Sequence, residues 1–325
     1  MKKSCRSLLK AAASILLLLP SLAVAQEFPT QMVRLIVPYP AGGGVDGLAR
    51  AMADRLSKKW GQSVIIDNRP GASTMIGGDF VARAPADGQT LLFTSDSSIT
   101  SNPFLFRKMS FDPIKDLAPV TQLADLHQMI LLHPSVPANS MQELIALARA
   151  KPDALNYASY GNGSQPNLLF EALKKQTGIQ ITQVPFRGIA PALQAVIAGD
   201  VQMTLGGPAA LGMLEGKQLK ALAIGRKERL PRLPDVPTLK EVGYPDIDPL
   251  SWFGMFAPAG TSPAIISKIQ RDVAATIKDP DFSKRFVEGL GLTGVGSTPE
   301  AFAQFIKEDL AIKQKLIATS GATVE

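Results

Sequence analysis

Three consecutive glycines, Gly42 to Gly44, stand between the apolar run Val33–Val37 and a helical pattern opening at about Val45. Glycine permits positive φ and close approach by another molecule. A helix that starts there offers unpaired N–H groups and the positive end of its dipole, so the junction suits an anion. Gly42-x-Gly44-x-x-Gly47 also matches the dinucleotide fingerprint, and Asp67 stands near the place of the ribose acid. Pro38 and Pro40 stiffen the turn in a way that motif does not require, and no hydride-transfer constellation follows. No Lys-Ser/Thr follows either, which removes the Walker A reading. A nucleotide, a purely structural turn and another anion all stay open; the last is favoured, with carboxylate as the leading anion. Asp46 either braces the turn as a capping carboxylate or touches ligand or water.

A second set of candidates lies further along. Ser159-Tyr-Gly-Asn-Gly-Ser164 supplies hydroxyls, the Asn162 amide and the free N–H groups of a glycine-rich turn ahead of a helix. Tyr160 and Tyr39 combine an apolar ring with a hydroxyl, which suits a cleft wall. Arg187, in Phe186-Arg-Gly188, either pairs a distal carboxylate or is a solvated loop charge. Ser97 lies in the polar run Ser95–Ser98 that ends an apolar strand, and Gly207 lies in the turn Gly206-Gly-Pro208.

The inventory for catalysis is sparse. His127 and His133 are the two histidines, and neither has a paired acid or nucleophile at useful spacing. There is no Gly-x-Ser-x-Gly elbow. Cys5 is the single cysteine, and no acidic cluster has metal-ligand spacing. The expectation is a non-enzyme with no metal and no cofactor.

The elements that must carry these groups alternate between strands and helices. Val33–Val37, 64–66 and 90–94 read as strands, with helices over 45–60 and 76–83. Further strands are expected at 120–123, 128–132, 155–158, 181–185, 201–205, 219–224 and 252–257. Helices are expected over 165–175, 190–198 and 209–215. Ser140-x-x-Glu143 is a capping box, and Ser262-Pro263 and Thr298-Pro299 open C-terminal helices. The repeated strand-turn-helix unit predicts an α/β, mostly parallel architecture, with ligand outside the carboxyl ends of the strands.

Residues 1–25 read as a leader: Lys2, Lys3, Arg6 and Lys10, then an apolar run from Ala11 to Leu19, then Ala23-Val24-Ala25 as cleavage site. Export to the periplasm is expected, where nicotinamide cofactors are not generally available. Removing those four of 34 basic residues leaves 30 against 28 acidic ones, so the basic balance carries no nucleic-acid footprint. The remaining 300 residues exceed a single core and suggest two lobes.

The segments 37–46 (VPYPAGGGVD), 67–72 (DNRPGA), 84–92 (APADGQTLL), 155–159 (LNYAS), 184–188 (VPFRG), 233–238 (LPDVPT) and 251–261 (SWFGMFAPAGT) together resemble the Bug family. Its members are extracytoplasmic solute receptors of tripartite tricarboxylate transporters. The resemblance covers nearly the whole chain after the leader. It implies a type II two-lobed periplasmic binding protein, each lobe a mostly parallel sheet flanked by helices, with a ligand cleft between them. The lobes are expected at 26–125 plus 251–325 and at 126–250, with crossings near 124–128 and 248–252.

The resemblance further implies capture of a small carboxylate (a di- or tricarboxylate, acidic amino acid or aromatic acid) by a monomer that delivers it to membrane permease subunits. A ligand sensor for a membrane signalling partner and an exported enzyme are the alternatives. By matched position, ligand contacts fall first on Tyr39, Ala41, Gly42, Gly43, Gly44 and Asp46, with Ser97. In the second lobe they fall on Ser159, Tyr160, Asn162, Gly163 and Ser164, then on Phe186, Arg187, Gly188, Ile189 and Ala190, with Gly207. The chain departs from the family pattern at Ser73-Thr-Met75, where a glycine-rich segment is common. It departs again at the bulky Tyr160 and at Gly206-Gly-Pro208, where an aspartate or asparagine is frequent.

Overall fold

The structure, a computed structural model, describes residues 28–322 except Gly43, Asn162, Pro208, Ala209, Lys227, Asp246 and Asp248. The leader expected at 1–25 lies outside the described residues.

Strand β1 (Val33–Val37) is buried on both faces and pairs in parallel with β2 (Val64–Asn68) and β3 (Thr90–Ser95). Helix α1 (Gly44–Trp60) returns the chain from β1 to β2, burying Leu48, Met52 and Leu56 at helical spacing. Helix α2 (Met75–Ala82) leads to β3. Its two glycines are packing devices, because a Cβ on Gly77 would lie 2.8 Å from Pro38 and one on Gly78 2.4 Å from Phe111. After β3 the chain makes a wide helical turn over Ser97–Ser101 and a short helix over Asn102–Leu105.

Strand β4 (Leu117–Leu126) ends at the passage into the second sheet, which begins with β5 (Met129–Leu132). Then follow α3 (Met141–Ala150), β6 (Asn156–Ser159), α4 (Gln165–Thr177), β7 (Thr182–Pro185), α5 (Ile189–Ala198), β8 (Met203–Gly206), α6 (Leu211–Glu215) and β9 (Lys220–Ile224). The chain returns to the first sheet as β10 (Ser251–Pro258), followed by α7 (Pro263–Lys278), β11 (Thr293–Gly294) and α8 (Pro299–Ser320). The expected caps are made: Ser140, Ser262 and Thr298 each accept a first-turn N–H of their helix.

The two sheets have orders β11-β4-β10-β3-β1-β2 and β7-β6-β8-β5-β9. The sequence predicts mostly parallel sheets; both are mixed. In the first, β10 runs antiparallel to β3 and to β4, and β11 antiparallel to β4. In the second, β6 pairs in parallel with β7 and β8, while β5 is antiparallel to β8 and β9. The parallel halves come from the strand-helix units legible in the sequence. The antiparallel halves come from the strands by which the chain leaves and re-enters each sheet.

Helix α8 joins the two cores. Phe302 and Ile306 pack with Trp252 and Phe256 beside the first sheet, whereas Leu316 and Ile317 lie in the core of the second with Leu168 and Leu169. Among the described residues, no helix is long and apolar enough to cross a membrane.

Candidate functional site

The turn from β1 into α1 is tied down by Asp46. Its Oδ2 accepts the Gly42 N–H at 2.9 Å and Arg50 Nε at 2.8 Å, and Oδ1 accepts Asn68 Nδ2 at 2.9 Å. The carboxylate is buried, and the Arg50 hydrogen bond, helped by those from Gly42 and Asn68, holds its pKa down to about 2. Asp46 therefore acts within the protein as a brace. The Gly42 N–H, expected as a ligand donor, is already donated to it.

Next to this turn lies a cluster of hydroxyls. Tyr39 Oη is 2.7 Å from Ser95 Oγ, which is 2.8 Å from Ser97 Oγ, and Tyr39 Oη accepts the Ser95 N–H at 3.2 Å. Ser73 and Thr74 come in from the loop before α2. Ala72, Ser73 and Thr74 all have positive φ, at 44°, 51° and 77°. Asn102 Nδ2 donates to Ser73 O at 2.7 Å, and Ser98 Oγ donates to Thr74 Oγ1 at 2.7 Å, holding the loop in this form. Three successive left-handed non-glycine residues are a costly conformation, of the kind found at functional sites.

Asp96 forms the floor. It is buried, and its oxygens are engaged by Ser251 Oγ, by Gln165 Nε2 at 3.0 Å and by Lys313 Nζ at 3.1 Å. Lys313 is itself buried; it also donates to Leu250 O at 2.8 Å and lies 3.9 Å from Asp309. Asp309 in turn accepts Trp252 Nε1 at 2.8 Å and Thr100 Oγ1 at 2.5 Å. Burial pushes the Asp309 carboxyl up, opposed by the Lys313 charge. One lysine thus serves two buried carboxylates.

The second sheet contributes the turn after β6. Ser164 Oγ is donated to Gly161 O at 2.5 Å, so it does not cap α4. Gly188, with no side chain to offer, likewise leaves the start of α5 uncapped. Both helix starts keep backbone donors available to an anion. Tyr160 stays a protonated donor, because burial and then the Asp96 charge push its phenol up.

These parts enclose a cleft of about 560 Å³. Of the residues the sequence nominates, Tyr39, Ser97, Tyr160, Gly163, Ser164 and Ile189 line it. Ala41, Gly42, Asp46, Ser159, Phe186, Arg187, Gly188, Ala190 and Gly207 do not; Gly44 heads α1. Ser159 is buried beneath its turn and accepts Gln183 Nε2 at 2.7 Å. Gly207 is packed 3.2 Å from Leu126 on the measure of an added Cβ. Arg187 is exposed. Gly43 and Asn162 lie outside the described residues.

Sequence reasoning missed Ser73, Thr74, Asp96, Asn102, Gln128, Gln165 and Ser251 among the polar lining, and Leu105, Phe106, Leu126 and Leu168 among the apolar. Only Asp96 had a local signal, as the acidic member of the polar run that ends β3. A larger groove of about 750 Å³ lies at the opposite, amino ends of β1 and β3. Its Arg69 and Arg83 pair with Asp67 and Asp79, and it shares no described lining residue with the cleft.

His127 sits in the passage between β4 and β5. Its Nδ1 is 3.1 Å from Gly225 O, while Nε2 has no partner. Burial, then the Arg226 charge, lower its pKa to about 4, so the ring is neutral at pH 7. His133 is bonded to Ser135 Oγ at 2.6 Å, outside the cleft. Among the described residues no group of three His, Cys, Asp or Glu could hold a metal ion.

The family model described as the tripartite tricarboxylate transporter family receptor matches residues 48–322. The chain belongs to this family. Protein BugT of Bordetella pertussis is 33% identical over 309 residues, 93% of each chain. A solved structure of R. palustris Rpa4515 with adipate superposes with a TM-score of 0.78 at 34% identity, covering 91% of this chain and 99% of that one. MatC of Rhodopseudomonas palustris with bound malate gives 0.74 at 30% identity, covering 89% and 100%. The periplasmic binding protein BugD gives 0.75 at 27% identity, covering 92% and 100%. The chain is thus a two-lobed solute-binding receptor of the periplasmic type, as the resemblance of the motifs implies, with a mixed sheet in each lobe where mostly parallel ones were expected.

Proposed function

We propose that this receptor captures a small carboxylate in the cleft between its two sheets and hands it to the membrane subunits of a tripartite tricarboxylate-type transporter. The carrying observation is the cleft itself. Hydroxyls of the first lobe (Tyr39, Ser95, Ser97) face two uncapped helix starts of the second, at Gln165 and Ile189. That is an array of neutral donors suited to a carboxylate, with no paired acid, base or nucleophile for turnover. Relatives whose structures hold adipate and malate support the same ligand class.

In this reading residues 1–25 direct export and are cleaved after Ala25, and the receptor works as a monomer in the periplasm. Lobe one comprises 26–125 and 251–325, lobe two 126–250, and closure about the crossings shifts the population toward a liganded, transporter-competent form. The test is calorimetric titration with a carboxylate panel, followed by analysis of the recovered ligand. One-to-one binding with ligand recovered unchanged supports a receptor; a product, or no binding by any carboxylate, refutes it.

A further inference from the structure

The outer side of α2 bears on the handover, on the reading that the receptor delivers its cargo to membrane subunits. We infer that this side of α2, with the groove on either flank, is the docking surface for those subunits, and that the segment docked there presents a carboxylate between apolar side chains.

Helix α2 is only eight residues long and covers part of the sheet face beneath it. Its Val81 packs with Ile36 of β1 and Leu92 of β3. Side chains alternate along a strand, so Arg34 and its register partner Thr90 share that face, one step nearer the amino ends. They are left in the groove of about 750 Å³, with Met32, Phe80 and Gln89. Gln89 Oε1 is buried there without a partner. A second groove, of about 490 Å³, holds Met75, Lys108 and Met109, and Ile76 and Asp79 border both. Ile76 is 53% exposed and Met32 43%. Large apolar side chains left open together and rimmed by charge mark a protein contact.

The charges indicate the kind of partner. Arg83 is paired with Asp79 at 2.9 Å, and Arg69 with Asp67 at 3.0 Å while it stacks 3.6 Å over Phe80. Asp87, at the rim, accepts the Gln89 N–H at 2.9 Å. Arg34 in one groove and Lys108 in the other have no carboxylate partner among the described residues. Arg34 is half-buried, so a carboxylate that reaches it is partly out of water, where a charge-assisted hydrogen bond is stronger. The free Gln89 acceptor suits an N–H of the same segment.

The surface is also continuous with the cleft wall. Ser73 and Thr74 line the cleft, and Ala72 and Met75 on either side of them line the second groove. The left-handed loop and the head of α2 therefore form one wall with two faces. A subunit seated on α2 touches the same segment that borders the cargo.

The experiment is binding of the intact receptor to nanodiscs that carry the transporter's membrane subunits, followed by biolayer interferometry at low and high salt. Lys108→Glu and Ile76→Ser, both at open positions, should each lower the affinity fivefold or more. Arg34→Glu should lower it tenfold or more and weaken its salt dependence. Carboxylate binding by calorimetry and the melting temperature of the Lys108 and Ile76 variants should stay as in the parent. Lys175→Glu, on an exposed site of the second lobe, should leave the affinity unchanged. Unaltered affinity in the Lys108 and Ile76 variants overturns the docking surface and leaves the carboxylate receptor intact. Equal binding to nanodiscs without the subunits assigns the grooves to lipid and also overturns it. A parent receptor that binds carboxylate but never the subunits removes the handover reading, and this inference with it. Photo-cross-linking in cells from benzoylphenylalanine at position 76 is the second arm: a link to a membrane subunit supports the surface, and a link to a second copy of the receptor counts against it.

Discussion

Gln165, the first residue of α4 in the second lobe, donates its side-chain amide to Asp96 at the end of β3 in the first, over 3.0 Å. The bond spans the cleft and exists only when the two lobes are close. Gln165→Ala should therefore destabilise the closed form selectively. One charge-assisted hydrogen bond corresponds to about 1–2 kcal/mol, or roughly fivefold to thirtyfold in affinity. Stopped-flow dissociation should show the loss mostly in the off-rate; an unchanged off-rate would remove the bond from closure.

Lys313 is the buried counter-ion of Asp96 and Asp309. Lys313→Met keeps the aliphatic stem but leaves two acids buried without it. Breaking a buried pair in this way costs about 3–5 kcal/mol. Urea denaturation should show that loss, and adding Asp309→Asn should recover part of it.

Ser73 holds φ 51° and ψ 48°, in the left-handed region. A glycine there removes the Cβ penalty of about 1–2 kcal/mol, offset in part by the greater freedom of the unfolded chain. Ser73→Gly should raise stability by up to about 1 kcal/mol in the same denaturation assay. Destabilisation would show that the Ser73 side chain, rather than its backbone, is what the loop requires.

His127 predicts an acid-side loss of stability. Its folded pKa is lowered to about 4, against an ordinary value of 6.5. Between those values the unfolded chain takes up a proton that the folded chain refuses. Stability is therefore full above about pH 6.5 and falls as pH drops toward 4, by at most about 3 kcal/mol. His127→Gln should flatten the thermal-melting profile across that window; an unaltered slope would assign it to other groups.

The brace at Asp46 predicts a stability effect that needs no ligand. Asp46→Ala strands the Gly42 N–H and the Asn68 amide and frees Arg50. The expected cost is about 2–3 kcal/mol in urea, measured on ligand-free protein. Asp46→Asn, which keeps an acceptor, should cost less.

The sequence alone determined the local units. The Val33–Val37 strand, its glycine turn and the α1 stripe of Leu48, Met52 and Leu56 follow from residues within one turn or one pleat of each other. So do the caps at Ser140, Ser262 and Thr298, because a cap is a contact over three residues. The family motifs placed these units in a two-lobed receptor and brought Tyr39, Ser97, Tyr160 and Ser164 to its cleft. Tertiary structure decided the rest. Asp96, Gln165, Ser251 and Lys313 are far apart in the chain, and apart from Asp96, in the polar run that ends β3, none carries a local pattern that marks it. They meet because α8 folds back across both cores and because β10 returns beside β3 and β4. The same long-range returns make the sheets mixed. They also bring Asp96 its counter-charge: Lys313 arrives from behind the cleft wall on a helix more than two hundred residues after Asp96.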